Sequence, residues 1–294
     1  MIELLHRMSG EPAFVVVIHF FCACPDSMFC SWISQMPFRF ISRLISVTLG
    51  IAMSSAVLAA GYDVTIGAGV GIAPRYLGSD QYRAIPIPYM NVRTPSGIYL
   101  DTTRGAGYRL DLPRNFYIDS SINYAFGRKD SNESFASGSD ALRGMGNVPN
   151  AVVATVTAGY KFMGVGSVSV AGDIPVSNRS IGDSWRTALN VPLMIMPTDI
   201  LTTKVVAHMG SAKHNQMMWG VSQSQSMASG FRRYTPGAGI NAVDFGLTWT
   251  HLFNRHWSVS TTGQVTRLVD DAGDSPIVVR RVSGNIAAIV AYKF

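Results

Sequence analysis

Apolar and polar residues alternate with a period of two along much of the chain after residue 60. The clearest example closes the chain, where Ile286, Ala288, Val290, Tyr292 and Phe294 share one parity. A period of two places successive side chains on opposite faces of a β-strand. The last ten residues therefore predict a strand that ends the chain on an aromatic residue.

Eleven earlier segments show the same alternation over similar lengths. They lie at about 62–72, 83–92, 97–104, 105–112, 116–126, 152–162, 165–175, 184–195, 199–210, 243–251 and 257–266. A tilted membrane strand needs roughly 9–11 residues, and single-chain bacterial barrels have an even number of strands. The pattern predicts an all-β fold: a transmembrane antiparallel β-barrel of about twelve strands, closed by the C-terminal strand.

Short and long connections alternate along the chain between these segments. Short segments rich in turn-forming residues lie at 94–97, 113–115, 163–166, 197–199 and 254–256. The alternate connections are longer, except for a short join near Gly105, and lie at 73–82, 128–150, 176–183, 211–238 and 270–280. Short periplasmic turns and long outer loops are typical of outer-membrane barrels. The competing fold, a soluble β-sandwich, has no reason to sort its connections in this way.

The composition agrees with a membrane wall and excludes several other classes. Hydrophobic residues make up 47% of the chain and charged residues 14%, against roughly 25% charged residues in soluble domains. The net charge of +6 is scattered, which argues against a nucleic-acid-binding stripe. The three cysteines all precede residue 36, so no disulfide framework or cysteine metal site is expected in the body of the chain. We expect no cofactor, no metal and no catalytic residue.

Residues 36–60 have the pattern of a secretory signal peptide. Arg39 and Arg43 supply positive charge, an apolar core follows, and small residues near the end offer cleavage sites. We expect cleavage after Ala59 or Ala60.

Residues 1–35 precede this signal, although a signal peptide should begin its protein. The simplest interpretation is a start-site extension, with translation beginning at Met36 or Met28 rather than at Met1. A genuine N-terminal anchor is the alternative. Residues 61–294 then form the barrel, in the cell outer membrane and surrounded by its lipid.

Three stretches of the mature chain match the motifs of a known family. In the first, residues 69–79, the matching positions are Pro74, Tyr76, Gly78 and Ser79.

The second stretch is the proline-bearing segment Ile85-Pro86-Ile87-Pro88-Tyr89. The third is residues 271–278, which include Asp274, Ser275 and Pro276. Together the three stretches resemble the MltA-interacting protein (MipA) / OmpV family of outer-membrane proteins, over about residues 61–294. The matching motifs are structural rather than partner-contacting.

The resemblance implies a non-enzymatic outer-membrane barrel. It suggests a scaffold or envelope-maintenance role that docks a lytic transglycosylase and a peptidoglycan synthase. A porin-like channel, or a surface adhesin or receptor that uses the lumen and outer loops, is the alternative. As in barrels of this general kind, Phe294 and Tyr292 are expected to present the terminal signal to the barrel-assembly machinery.

Overall fold

The structure is a computed structural model that describes residues 61–134, 136–162 and 164–294. The predictions for residues 1–35 and 36–60 lie outside the described residues. Twelve strands form one closed barrel, and a pair of two-residue strands, β6 and β7, forms a separate small sheet. The strands are β1 (Asp63–Pro74), β2 (Tyr82–Arg93), β3 (Ile98–Asp101), β4 (Gly105–Asp111), β5 (Phe116–Ala125), β6 (Arg128–Lys129), β7 (Ser137–Gly138), β8 (Ala151–Phe162), β9 (Gly166–Pro175), β10 (Ser184–Ile195), β11 (Asp199–Gly210), β12 (Gly239–Leu252), β13 (Trp257–Leu268) and β14 (Val282–Lys293).

The barrel closes where the first strand meets the last. β1 pairs antiparallel with β14, in a register that runs from Thr65 opposite Lys293 to Ile72 opposite Ile286. Every other neighbouring pair in the barrel is also antiparallel. The predicted twelve-stranded antiparallel barrel, closed by the C-terminal strand, is confirmed.

The outer surface of the barrel is apolar because one parity of each strand points away from the lumen. On β1, the exposed residues Ile66, Val70 and Ile72 alternate with small residues that face inward. In hydrocarbon every backbone donor and acceptor needs a partner within the protein, which a closed sheet supplies. The alternation of the sequence thus gives a wall with a lipid-facing exterior.

Inside the wall, tyrosine rings cover glycines on the neighbouring strand. Tyr99 lies opposite Gly107, and Tyr117 lies opposite Gly159. A Cβ atom added to Gly107 or Gly159 would come within 2.5 Å of the facing tyrosine ring. The glycines therefore make room for two rings that fill the lumen between β3 and β8.

Strands β3 and β4 are shorter than the sequence pattern predicts, so the barrel wall does not reach as far toward the outer end there. Segments 97–104 and 105–112 were expected to be strands of full length, but β3 has 4 residues and β4 has 7. Only Asn91, Val92 and Arg93 of β2 pair with β3. The alternation of apolar and polar residues continues beyond the ends of these strands, so the predicted strands were too long. A strand ends where its partner strand turns away, which alternation does not show. Above the β3–β4 turn the wall has a notch between β2 and β5.

Two prolines line the open edge of β2 at this notch. The N–H and C=O groups of Met90 both point toward β3, where they bond to Thr102. Backbone groups alternate in direction along a strand, so Pro86 and Pro88 face the same open edge. Proline has no N–H group, and it is tolerated on such edges for that reason.

The longer connections at the outer end contain short regular elements. Three α-helices occur there among the described residues: α1 (Ala212–Trp219), α2 (Gln223–Ser229) and α3 (Asp270–Gly273). The side chains of Ser211 and Ser222 cap α1 and α2 by accepting from backbone N–H groups. None of the helices that the structure describes is long and apolar enough to cross a membrane.

Candidate functional site

The long connections pack together into a cap over the outer mouth of the barrel. Its core is a cluster of buried side chains from four different connections, between β1 and β2, β5 and β8, β11 and β12, and β13 and β14. They are Tyr76, Leu142, Met145, Val221 and Ile277. A hydrophobic core built only from connections is unusual, because connections are normally mobile and polar. Here it lies over the outer end of the barrel.

The first motif stretch lies in this cap. Pro74 ends β1, and the Tyr76 hydroxyl donates a hydrogen bond of 2.9 Å to the carbonyl of Ile277. Gly78 has a φ of +103°, a value that favours glycine. The carbonyl of Gly78 accepts bonds from the N–H groups of Val279 and Arg280, at 2.8 and 3.0 Å. The first connection is thus tied to the last.

Ser79 completes this contact from within the first connection. It is buried, and its Oγ accepts a bond of 3.0 Å from the N–H of Gln81. The hydroxyl shapes the return of the chain toward β2.

The third motif stretch meets the same cap from the other side. Asp274 forms an ion pair with Arg281, and the buried Ser275 donates a bond of 2.5 Å to the carbonyl of Trp219. Pro276 lies between Ser275 and the buried Ile277. The motif residues of both stretches therefore gather at one place, although sequence reasoning treated them as separate.

Helix α1 lies between the cap and the lumen. Trp219 is buried against Leu268 and Ala272, and a guanidinium nitrogen of Arg128 donates a 2.7 Å bond to the carbonyl of Met218. Asn241 of β12 donates to the Asn215 side chain at 3.0 Å. These contacts fix the helix at the top of the lumen.

The lumen below α1 holds a belt of charged and polar side chains. Asp173 accepts a bond of 2.6 Å from Thr155 and pairs with Arg186. On neighbouring strands, His208 lies 2.9 Å from Asp244. Both signs of charge are therefore present inside the barrel.

The lower lumen has a second polar group built around the two inward tyrosines. The Tyr99 hydroxyl donates a 2.5 Å bond to Asp119, whose carboxylate lies 3.8 Å from Arg104. The Arg109 guanidinium stacks on the Tyr117 ring, 3.8 Å from its centre. Together the two polar groups occupy much of the interior.

Two cavities lie next to helix α1. Residues of α1 and the side chain of Leu77 line both of them. The lumenal cavity, of about 250 Å³, reaches Asp173, His208 and Asp244. The outer cavity, of about 240 Å³, lies between the cap connections and reaches Arg128 and Tyr76. His214 lines both cavities. Sequence reasoning missed Arg128, because it lies in a connection without periodicity.

Burial in the cap shifts the ionisation of several groups. Removal from water lowers the pKa of Arg128 to about 10 and raises the pKa of Tyr76. Burial also lowers the pKa of His214, which is therefore favoured in its neutral form. Charged forms are thus disfavoured at the cap, yet Arg128 still carries its charge at neutral pH.

The periplasmic end carries aromatic side chains near the termini. The rings of Tyr292 and Phe294 pack edge to face with 4.9 Å between their centres, and the rings of Trp257 and Tyr292 do so with 5.1 Å between their centres. The N–H of Phe294 donates to the carbonyl of Val64 at 2.9 Å. Aromatic girdles of this kind mark the membrane interface of outer-membrane barrels.

Fold and exterior together define the class: this is an outer-membrane β-barrel. The family model described as "MltA-interacting protein MipA" matches residues 66–294. The chain belongs to this family, as its motifs predicted. It is 26% identical over 261 residues to the "MltA-interacting protein" of Escherichia coli (strain K12), an alignment that covers 86% of this chain and 98% of the relative. The protein of the same name from Shigella flexneri matches equally.

Solved outer-membrane barrels are more distant. An outer-membrane channel of Pseudomonas putida F1 gives a TM-score of 0.43 at 11% identity and covers 80% of this chain and 96% of its own. The translocator domain of the autotransporter NalP from Neisseria meningitidis gives 0.39 at 10% identity, over 87% and 97% of the two chains. Likenesses of this strength carry no functional argument.

Proposed function

We propose that this protein is a non-enzymatic envelope protein whose periplasmic end docks a lytic transglycosylase. The observation that carries the proposal is the cap, whose core residues Leu142 and Val221 have no exposed surface at all. With the outer connections packed on one another, the short turns at the opposite end are the part of the barrel that faces the periplasm. The relatives named for interaction with MltA, a lytic transglycosylase, support this choice of partner.

The periplasmic turns offer charges for such a partner. Arg114 and Arg255 lie in these turns, and among the described residues neither has a carboxylate within ion-pair distance. Unpaired charges at the rim of an interface chiefly set specificity and the rate of association. We propose that they orient the enzyme on the short turns.

A peptidoglycan synthase is the second proposed partner, so that the barrel holds a cutting and a synthesising enzyme at the same membrane. The turns are short, so each enzyme would contact a small part of the barrel. The barrel would then position its partners rather than enclose them.

Recovery of a partner on the immobilised barrel tests the docking proposal. Purified lytic transglycosylase is passed over wild-type barrel and over a double variant with Arg114→Glu and Arg255→Glu. We expect the double variant to retain several-fold less enzyme. Arg143→Glu, in the outer cap, is the matched control and should retain as much as wild type. Equal recovery by the double variant would contradict docking at these turns.

Conductance separates the proposal from its competitor, a porin-like channel. With the cap and the polar lumen in place, the protein in a planar bilayer should show no stable ion steps. Large, long-lived steps from the wild-type protein would favour the channel.

A further inference from the structure

One buried arginine side chain that lines the outer cavity has no negatively charged partner in the described part of the chain. Arg128 is 7% exposed and lines this cavity of about 240 Å³. One guanidinium nitrogen donates to the carbonyl of Met218, while Nε has no partner. Among the described residues, no carboxylate lies within 4.0 Å of this guanidinium. A buried charge without a counter-charge is costly, so its retention needs a reason.

The arginines lower in the lumen differ in this respect. Arg104, Arg109 and Arg186 each have a carboxylate partner, from Asp119, Asp111 and Asp173 in turn. Carboxylates thus neutralise these three lumenal arginines, whereas Arg128 has no such partner among the residues that the structure describes.

Other groups near the outer mouth share the lack of partners. His214 lines the same cavity, and its Nδ1 makes no hydrogen bond. Arg75 and Arg83, at the top of β1 and β2, also have buried guanidinium nitrogens without hydrogen-bond partners. Buried polar groups without partners thus gather at the outer end of the interior.

The rest of the cavity wall is largely apolar. It includes Phe126, Val148, Pro149, Ile181 and Met218. A cavity with one buried cation and apolar walls suits a molecule with an anionic head and a hydrocarbon body. A small hydrophilic ion would leave these walls unused.

The notch in the wall lies beside this cavity. Ala125 and Phe126 at the top of β5 border both the cavity and the notch. Two intervening strands separate β2 from β5, and three strand spacings of about 4.8 Å give roughly 14 Å between them. The N–H of Gly138 in the cap bonds to the carbonyl of Arg75, at 2.9 Å, and bridges the top of the notch. The barrel wall is therefore incomplete on the side where the cavity lies.

We propose that the outer cavity binds the oxyanion head group, phosphate or carboxylate, of an amphipathic molecule that enters sideways from the outer leaflet, with Arg128 as its counter-ion. Guanidinium groups bind such oxyanions through two parallel hydrogen bonds. The site is separate from the proposed docking surface at the periplasmic end. Either proposal can fail without the other.

Calorimetric titration of the detergent-solubilised barrel with hexyl phosphate and hexanoate tests the site. Hexylammonium, with a similar body and the opposite charge, is the ligand control. We expect saturable heats for the two anions and none for hexylammonium. Inorganic phosphate should bind at least tenfold more weakly than hexyl phosphate. Equal binding of inorganic phosphate would overturn the amphipathic ligand, and absent binding of both hexyl anions would overturn the site.

Variants locate the binding. Arg128→Gln should weaken hexyl phosphate at least tenfold, equivalent to about 1.4 kcal/mol. Arg143→Gln, an exposed arginine of the same connection that pairs with Asp140, is the matched control. If Arg128→Gln does not assemble, Arg128→Lys keeps a charge and a donor, and we expect it to bind several-fold more weakly than wild type. Unchanged binding by an assembled Arg128 variant would overturn the assignment.

Discussion

The Tyr76 hydroxyl donates a 2.9 Å hydrogen bond to the carbonyl of Ile277, a residue 201 positions further along the chain. The bond joins the first outer connection to the last and lies beside the point where β1 and β14 close the barrel. The stability of the cap and the closure of the barrel are therefore expected to depend on each other.

Tyr76→Phe tests this link. Loss of the hydroxyl leaves the Ile277 carbonyl without this donor, so we expect the free energy of unfolding to fall by about 1 kcal/mol. Guanidinium unfolding in phospholipid micelles measures the change. Tyr108→Phe is the control, because Tyr108 is exposed on the barrel exterior. Equal stability of the two variants would show that the bond contributes nothing.

Gly159→Ala tests the fit of the Tyr117 ring. The added Cβ would approach the ring to 2.4 Å, and such overpacking costs roughly 1–3 kcal/mol. We expect reduced yield of heat-modifiable barrel on refolding. At Gly263 an added Cβ meets nothing within 4 Å, so Gly263→Ala should refold like wild type. A well-folded Gly159→Ala variant would mean that the ring moves away at little cost.

Phe294→Ser tests the terminal signal proposed for Phe294 and Tyr292. We expect less assembled protein in the outer membrane, while protein that does assemble keeps the stability of wild type within about 0.5 kcal/mol. Immunoblotting of outer-membrane fractions measures the amount. Phe253→Ser is the control, because Phe253 is also an exposed aromatic residue and lies in a periplasmic turn. Normal levels of the Phe294 variant would contradict the signal.

His214 predicts a pH dependence of stability. Burial lowers its pKa in the folded protein below the ordinary value of 6.5. Well above pH 6.5 the histidine is neutral in both states and has no effect. As pH falls from 6.5 toward the lowered pKa, the unfolded chain takes up more protons, so stability decreases. Unfolding midpoints at pH 7.5 and 5.5 should differ less in His214→Gln than in wild type. The same pH response in both proteins would rule out this role for His214.

The glycines of the barrel show which packing features are visible in the sequence and which are not. Gly67, Gly69 and Gly71 occupy alternate positions of β1, a pattern that is visible in the sequence, and a Cβ at Gly69 would come within 2.2 Å of the Ala288 carbonyl on β14. Gly159 gave no such signal. Its partner Tyr117 lies 42 positions earlier, and only the register of β5 and β8 brings them together.

The sequence by itself determined the number of barrel strands, the positions of most of them and the alternation of short and long connections. These features depend on a period of two and on turn chemistry, both of which are local. The tertiary structure alone decided the short β3–β4 hairpin, the notch above it and the cap, where Arg128, Tyr76 and His214 line one cavity. Each of these depends on the side chain or strand that lies opposite, and residues distant in sequence become neighbours only when the barrel closes.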